Sequence, residues 1–161
     1  VSSPTDVRSY RIETAIHVDQ EKPEAVIESA TAGLLLAPDD PNLHYLISLA
    51  YIFSQQPEMA LKHLSEAKKN RSQAKDISLW QGISYERLKQ IDNAVSYYDQ
   101  ATQDMPQDLR AWARAGVLLA ENNRCTEARR FLSNAILRGA SLDIRMQDAL
   151  KKCPKSSKDS Q

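Results

Sequence analysis

Small and apolar residues recur along this chain in two interleaved sets, each repeating every 34 residues. One set reads Ala60, Ala94, Ala128, then Leu64, Tyr98, Leu132, then Ala67, Ala101, Ala135. Inside one unit these positions fall at i, i+4 and i+7, which is one face of an α-helix. The other set reads Ser48, Gly82, Gly116, followed three residues later by Tyr51, Tyr85, Leu119. That is one face of a different helix. Glycine inside a helix costs ~1 kcal/mol relative to alanine, so two in one column need a packing reason. Small side chains at Ser48, Gly82 and Gly116 let a paired helix approach, and the alanines at 60, 94 and 128 leave room for large residues opposite.

The punctuation between these faces agrees with helix pairs. Asp40 before Pro41, and Asp108 after Pro106, are helix-start signals, the carboxylate accepting from free backbone N–H groups. Short polar segments from Ser54 to Pro57, Lys89 to Asp92 and Glu121 to Arg124 separate the two helices of a unit. The same register finds a weaker first unit in Tyr10, Thr14, His17, Val26, Ala30, Gly33 and Pro38, with its helix boundary displaced by a residue near Pro23. Ser141 to Lys152 reads as one extra helix, capped by Ser141 and carrying Leu142, Met146, Ala149 and Leu150 on one face. It would cover the open side of the last pair, as the end of a stacked array requires.

These residues carry a resemblance to the tetratricopeptide repeat family over about residues 8 to 152. Trp112, Gly116, Ala128, Leu132 and Ala135 follow the family pattern, as do Gly82, Tyr85, Ala94, Tyr98, Ala101 and Pro106 one unit earlier. The resemblance implies an all-α, right-handed α-α superhelix, a TPR-like solenoid of three clear helix pairs plus a degenerate first pair and a C-terminal capping helix. The expected organisation is a single domain over 8–153, with units at about 8–40, 41–74, 75–108 and 109–140 and a cap helix at 141–152. Residues 1–7 and 154–161, with little to bury, are expected to be flexible.

Charge narrows the function. Lys and Arg number 21 and so do Asp and Glu, so no bulk field draws the molecule toward nucleic acid or an anionic surface. No apolar stretch approaches the roughly 20 residues of a membrane span. The most apolar run, Leu43 to Phe53, is interrupted by His44 and Ser48, and a soluble chain without a membrane span is expected. The sequence opens at Val1 without a basic and apolar leader, which predicts a processed or trimmed chain and leaves a removed signal peptide open.

In the resembling family the first helix of each unit lines a concave groove that receives a partner peptide or helix. The resemblance therefore implies a non-catalytic protein–protein adaptor or scaffold, needing no cofactor. The groove set is Tyr45, Leu49, Ile52 and Phe53, then Leu79, Ile83, Glu86 and Arg87, then Arg110, Arg114 and Val117. It is apolar over two units and basic at one rim, which suits an amphipathic helix or an extended apolar peptide with an acidic flank. Tyr45, Leu49, Phe53, Leu79 and Ile83 would form the contact floor. The alternative is that several of them pack against a neighbouring unit. A carboxylate clamp, known in one branch of the family, lacks its donors here: Tyr45, Leu49 and Trp80 stand at the required places. A second class of function is structural self-assembly, with a homodimer as the partner arrangement.

Chemistry finds little support. His17, His44 and His63 share no short spacing with one another or with a Cys or acidic pair, so no metal site is expected, and His17 reads as a satisfied packing histidine. No phosphate loop, serine elbow or Cys and His nucleophile pattern is present, so no enzyme is expected. The cluster Lys62, Lys68, Lys69, Arg71 and Lys75 reads as a helix C-terminus matched to its dipole. Cys125 opens the second helix of the last unit and Cys153 closes the cap helix. Antiparallel packing of those helices puts the two at one level, where a disulfide would pin the cap; the alternative is two thiols. A bridge would indicate a periplasmic or secreted protein, and free thiols a cytoplasmic one.

Overall fold

The computed structural model describes residues 6–70 and 74–154. Among these the chain forms nine α-helices: α1 (Val7–Asp19), α2 (Pro23–Leu36), α3 (Pro41–Phe53), α4 (Pro57–Lys69), α5 (Ile77–Arg87), α6 (Ile91–Asp104), α7 (Leu109–Glu121), α8 (Cys125–Leu137) and α9 (Ile144–Lys152). Most of residues 1–7 and 154–161 lie outside the described residues. Asp6 and Val7 do not fit the flexible end expected for them: Asp6 caps α1, accepting from the Arg8 and Ser9 backbone N–H groups, and Val7 is its first residue.

Helices pack in sequential pairs, α1 with α2 through α7 with α8, and the second helix of each pair packs on the first helix of the next. The odd helices also approach one another in series from α1 to α9, while the even helices of successive pairs are splayed apart and meet through long side chains, as Lys68 with Gln100 and Arg130 with Asp99. A two-layer stack whose one layer is in contact and whose other is splayed must curve, so the odd helices form its inner, concave layer. This is the TPR-like solenoid that the family resemblance implies.

The small columns do what their spacing predicts. A Cβ added to Gly82 would fall 2.5 Å from Cδ1 of Tyr98, and one added to Gly116 would fall 2.6 Å from Cγ of Leu132. Ala60, Ala94, Ala128, Leu64, Tyr98 and Leu132 are all fully buried. The first unit inverts the sizes: Thr14 occupies the glycine column and Ala30 the column of Leu64, Tyr98 and Leu132, and both are buried. Thr14 Oγ1 lies 2.9 Å from Ser29 Oγ, so the added polarity is satisfied inside the pair.

A regularity with no sequence signature sits in the tight turns. Glu21, Gln55, Lys89 and Asn123, each 34 residues apart, have φ of 55°, 57°, 58° and 62°. A left-handed non-glycine residue costs ~1–2 kcal/mol, so it persists only where the packing of the pair over-determines it. The first unit shares this turn, and Pro23 begins α2 just as Pro57 begins α4. The one-residue displacement expected near Pro23 is thus corrected: the first pair keeps the common register because its tight turn is the same.

Two helix starts depart from expectation. Asp40 and Asp108 cap α3 and α7 as read, accepting from Asn42, Leu43 and Arg110 N–H groups. Ala74 stands at the equivalent place before α5 and has no side-chain acceptor, and α5 begins only at Ile77. The cap helix begins at Ile144 rather than Ser141, because the Asp143 carboxylate, 2.8 Å from the Met146 N–H, supplies the cap. Leu142 therefore precedes the helix and is exposed, while Met146 and Ala149 are buried against α7 and α8. Cys125 and Cys153 form a disulfide with Cα atoms 5.0 Å apart, which joins the start of α8 to the end of α9.

Candidate partner-binding face

The concave layer carries every residue of the expected groove set, but they divide sharply by exposure. Ile52, Leu79 and Val117 are 1%, 0% and 3% exposed, and Ile83 and Leu49 are 6% and 9%. These five are packed between helices, so the floor expected at Leu49, Leu79 and Ile83 is core. The physical reason is the closeness of successive odd helices, which fills the space between them with their own apolar side chains. Tyr45, Phe53, Glu86, Arg87, Arg110 and Arg114 retain surface.

Asp76 organises the centre of this face. Its carboxylate does not cap α5; Oδ1 accepts from the Tyr45 hydroxyl at 2.8 Å and Oδ2 from the Trp80 indole N–H at 2.9 Å. Burial, and then the neighbouring Asp76 charge, push the Tyr45 hydroxyl well above the usual phenol range, so it stays a donor. Trp80 is held edge-on to Phe53, with ring centroids 6.3 Å apart, and the Arg110 guanidinium sits 6.0 Å from its ring. Phe53 is 64% exposed. Beside it, the Arg87 guanidinium donates to the Ile52 carbonyl at the end of α3.

Two arginines of the basic rim are compensated within the chain. Arg110 forks onto Asp108 through Nε at 3.0 Å and Nη2 at 2.6 Å, which holds the Asp108 carboxyl below the usual carboxylate range. Arg114 Nη1 lies 3.2 Å from Glu86 Oε2, the same oxygen that accepts from the buried Tyr98 hydroxyl. Thus Glu86 ties the concave face of α5 to the core of its own pair and to the next unit.

An open cleft of about 540 Å³ adjoins Phe53, lined by Val18 and Asp19 of α1, Glu21 and Lys22 of the turn, Pro23 and Val26 of α2, and Ala50 of α3. Neither this cleft nor Asp76 belongs to the expected groove set. An aspartate in the start region of α5 that is needed by two aromatic rings leaves only a weak trace in sequence, since an acidic residue there reads as a cap.

Two histidines with no short spacing in sequence meet in the fold. His44 and His63 meet between α3 and α4 with Nδ1 atoms 2.9 Å apart, and His44 Nε2 lies 3.0 Å from the Pro38 carbonyl. A neutral ring that donates from Nε2 to a carbonyl has Nδ1 as its acceptor, and in that tautomer His63 Nδ1–H is the donor to His44. Burial first, and then His44 and Lys62, lower His63 to about 4. His17, expected to be satisfied, has a buried Nδ1 without a hydrogen-bond partner.

Two tetratricopeptide repeat models match the sequence, over residues 45–108 and 87–153, together running from Tyr45 to Cys153. No curated protein matches by sequence. Solved structures with the same fold include MamA, 19% identical with a TM-score of 0.79 over 84% of this chain and 79% of that one. They also include YrrB, a TPR protein with an unusual peptide-binding site, 16% identical with a TM-score of 0.76 over 96% of this chain and 88% of that one. PilF of Pseudomonas aeruginosa is 15% identical, with a TM-score of 0.75 over 91% of this chain and 68% of that one. Repeats of this kind mediate protein–protein interactions and are generally non-catalytic; with the period, the paired helices and both sequence matches in agreement, the chain belongs to the tetratricopeptide repeat family.

Proposed function

We propose that this protein is a non-enzymatic adaptor that binds a partner polypeptide on its concave layer, anchored at Phe53 and Trp80. The carrying observation is Phe53, 64% exposed and beside an apolar-walled cleft. An exposed aromatic ring next to a concave apolar pocket is the arrangement that anchors a side chain of an incoming segment. Tyr45, Glu86, Arg87, Arg110 and Arg114 surround this anchor as orienting polar groups, while Leu49, Ile52, Leu79, Ile83 and Val117 hold the helices that present it. With Arg110 and Arg114 already paired, the partner contributes an apolar anchor rather than a strongly acidic flank.

The Cys125–Cys153 bridge supports placement in an oxidising, extracytoplasmic compartment, where such bonds persist. No helix among the described residues is long and apolar enough to cross a membrane.

A random peptide library displayed on phage and selected against the purified chain tests the binding face. Selected peptides should lose binding to a Phe53→Asp variant and keep it on Ser96→Asp, an exposed change on α6. Peptides that ignore Phe53→Asp and fail on the α6 variant would place recognition on the outer layer and overturn the reading.

A further inference from the structure

The first helix exposes one continuous stripe: Arg8, Ile12, Ala15, Ile16 and Asp19 are all exposed, and every other residue from Val7 to Asp19 is at least partly covered. Their spacing of i, i+4, i+7, i+8 and i+11 places them on one face. Ile12 and Ile16 are 64% and 48% exposed. The 34-residue period shows how unusual this is. Ala50, Ser84 and Leu118 stand at the place of Ile16 in α3, α5 and α7, and are 2%, 0% and 5% exposed because the preceding pair packs on each. On α1 no preceding pair does so among the described residues, yet the two positions carry isoleucine.

The charges at the ends of the stripe indicate what covers it. Arg8 lies at the start of α1, where Asp6 is the opposite charge nearby, and Asp19 at its end; neither side chain is engaged in an ion pair among the described residues. Two copies of this stripe laid antiparallel bring Ile12 of one against Ile16 of the other, Ala15 into the close approach, and Arg8 of each beside Asp19 of the other. A parallel pairing would set Arg8 against Arg8 and Asp19 against Asp19. We propose that a second copy of this chain docks here, α1 against α1 about a two-fold axis, through Ile12 and Ile16 with Arg8 and Asp19 as reciprocal ion pairs. The surface lies on α1 alone; Asp19 at its end also lines the cleft beside Phe53, whereas Arg8, Ile12 and Ile16 do not.

One helix from each copy buries no more than the ~1,200 Å² at the low end of specific interfaces, so the dimer should dissociate on the order of tens of micromolar. Sedimentation equilibrium on the full chain, from about 5 to about 500 µM, reads this directly. The unaltered chain should pass from monomer to dimer across that range. An Ile12→Glu, Ile16→Glu double variant should remain monomeric with unchanged helical circular dichroism. Arg8→Asp alone should weaken association about tenfold or more, and Arg8→Asp combined with Asp19→Arg should restore it. Those swaps put an acid near the start and a base near the end of α1, which the helix dipole favours, so the fold is not at risk. A chain monomeric throughout, a dimer indifferent to the Ile12 and Ile16 changes, or a charge swap that fails to restore association would each overturn the proposal.

Discussion

Gly82 and Tyr98 are in such close apposition that a single added methyl on the glycine would fall 2.5 Å from Cδ1 and 2.6 Å from Cε1 of the ring. Tyr98 is fully buried and its hydroxyl donates to Glu86, so the ring is held at both ends. Gly82→Ala should destabilise the chain by about 1–3 kcal/mol, because the ring must shift or the helices part. Gly116→Ala should cost at least as much, since its Cβ would also meet the Leu132 backbone nitrogen at 3.1 Å. Ser48→Ala, in the same column of the second unit, removes one hydroxyl and should change little by comparison. Urea unfolding followed by circular dichroism checks all three.

The Cys125–Cys153 bond closes a separation of 28 residues. In the chain-entropy account a loop of that size stabilises the fold by about 3.5 kcal/mol, so Cys153→Ser should lower the unfolding free energy by up to that amount. The loss should start at the cap, with faster amide exchange in α9 than in α5 or α6. Intact mass of natively purified protein should rise by two hydrogens only after reduction; two alkylatable thiols before reduction would remove the bond.

His63 supplies a pH dependence. Its folded-state value of about 4 lies below the ordinary 6.5, so the unfolded chain binds the proton more readily between those values. Stability from this group is therefore complete above about 6.5 and is lost as pH falls toward about 4. Discounted for its partial exposure, the loss amounts to about 1–2 kcal/mol. The groups facing it are His44, Tyr51, Lys62 and Glu66. Unfolding midpoints measured from pH 7 to pH 5 should fall less steeply for His63→Asn than for the unaltered chain.

Lys89 adopts a left-handed conformation in the turn between α5 and α6 and is exposed. Lys89→Gly should stabilise by about 0.5–1 kcal/mol, the relief of the Cβ clash exceeding the added entropy of the unfolded chain. A lower thermal midpoint would mean that the lysine side chain contributes contacts outweighing its backbone strain.

Periodicity alone determined a large part of this protein. The columns Ser48, Gly82, Gly116 and Leu64, Tyr98, Leu132 identify which helices must approach closely, Asp40 and Asp108 mark two starts, and Cys125 and Cys153 fall at one level once their helices are antiparallel. All of these follow from distances along a helix, which the chain encodes locally. Tertiary structure decided what lies between units. Ile52 and Phe53 are adjacent in sequence, yet one is 1% and the other 64% exposed, because the separation of α3 and α5 closes over one face and leaves the next open. Arg114 has its charge answered by Glu86, 28 residues earlier, and His44 meets His63 across the pair. Glu21, Gln55, Lys89 and Asn123 share one backbone conformation with no shared side-chain type. Such relationships depend on how far apart packed helices settle, a property of the summed side-chain volumes between them rather than of any local run of residues.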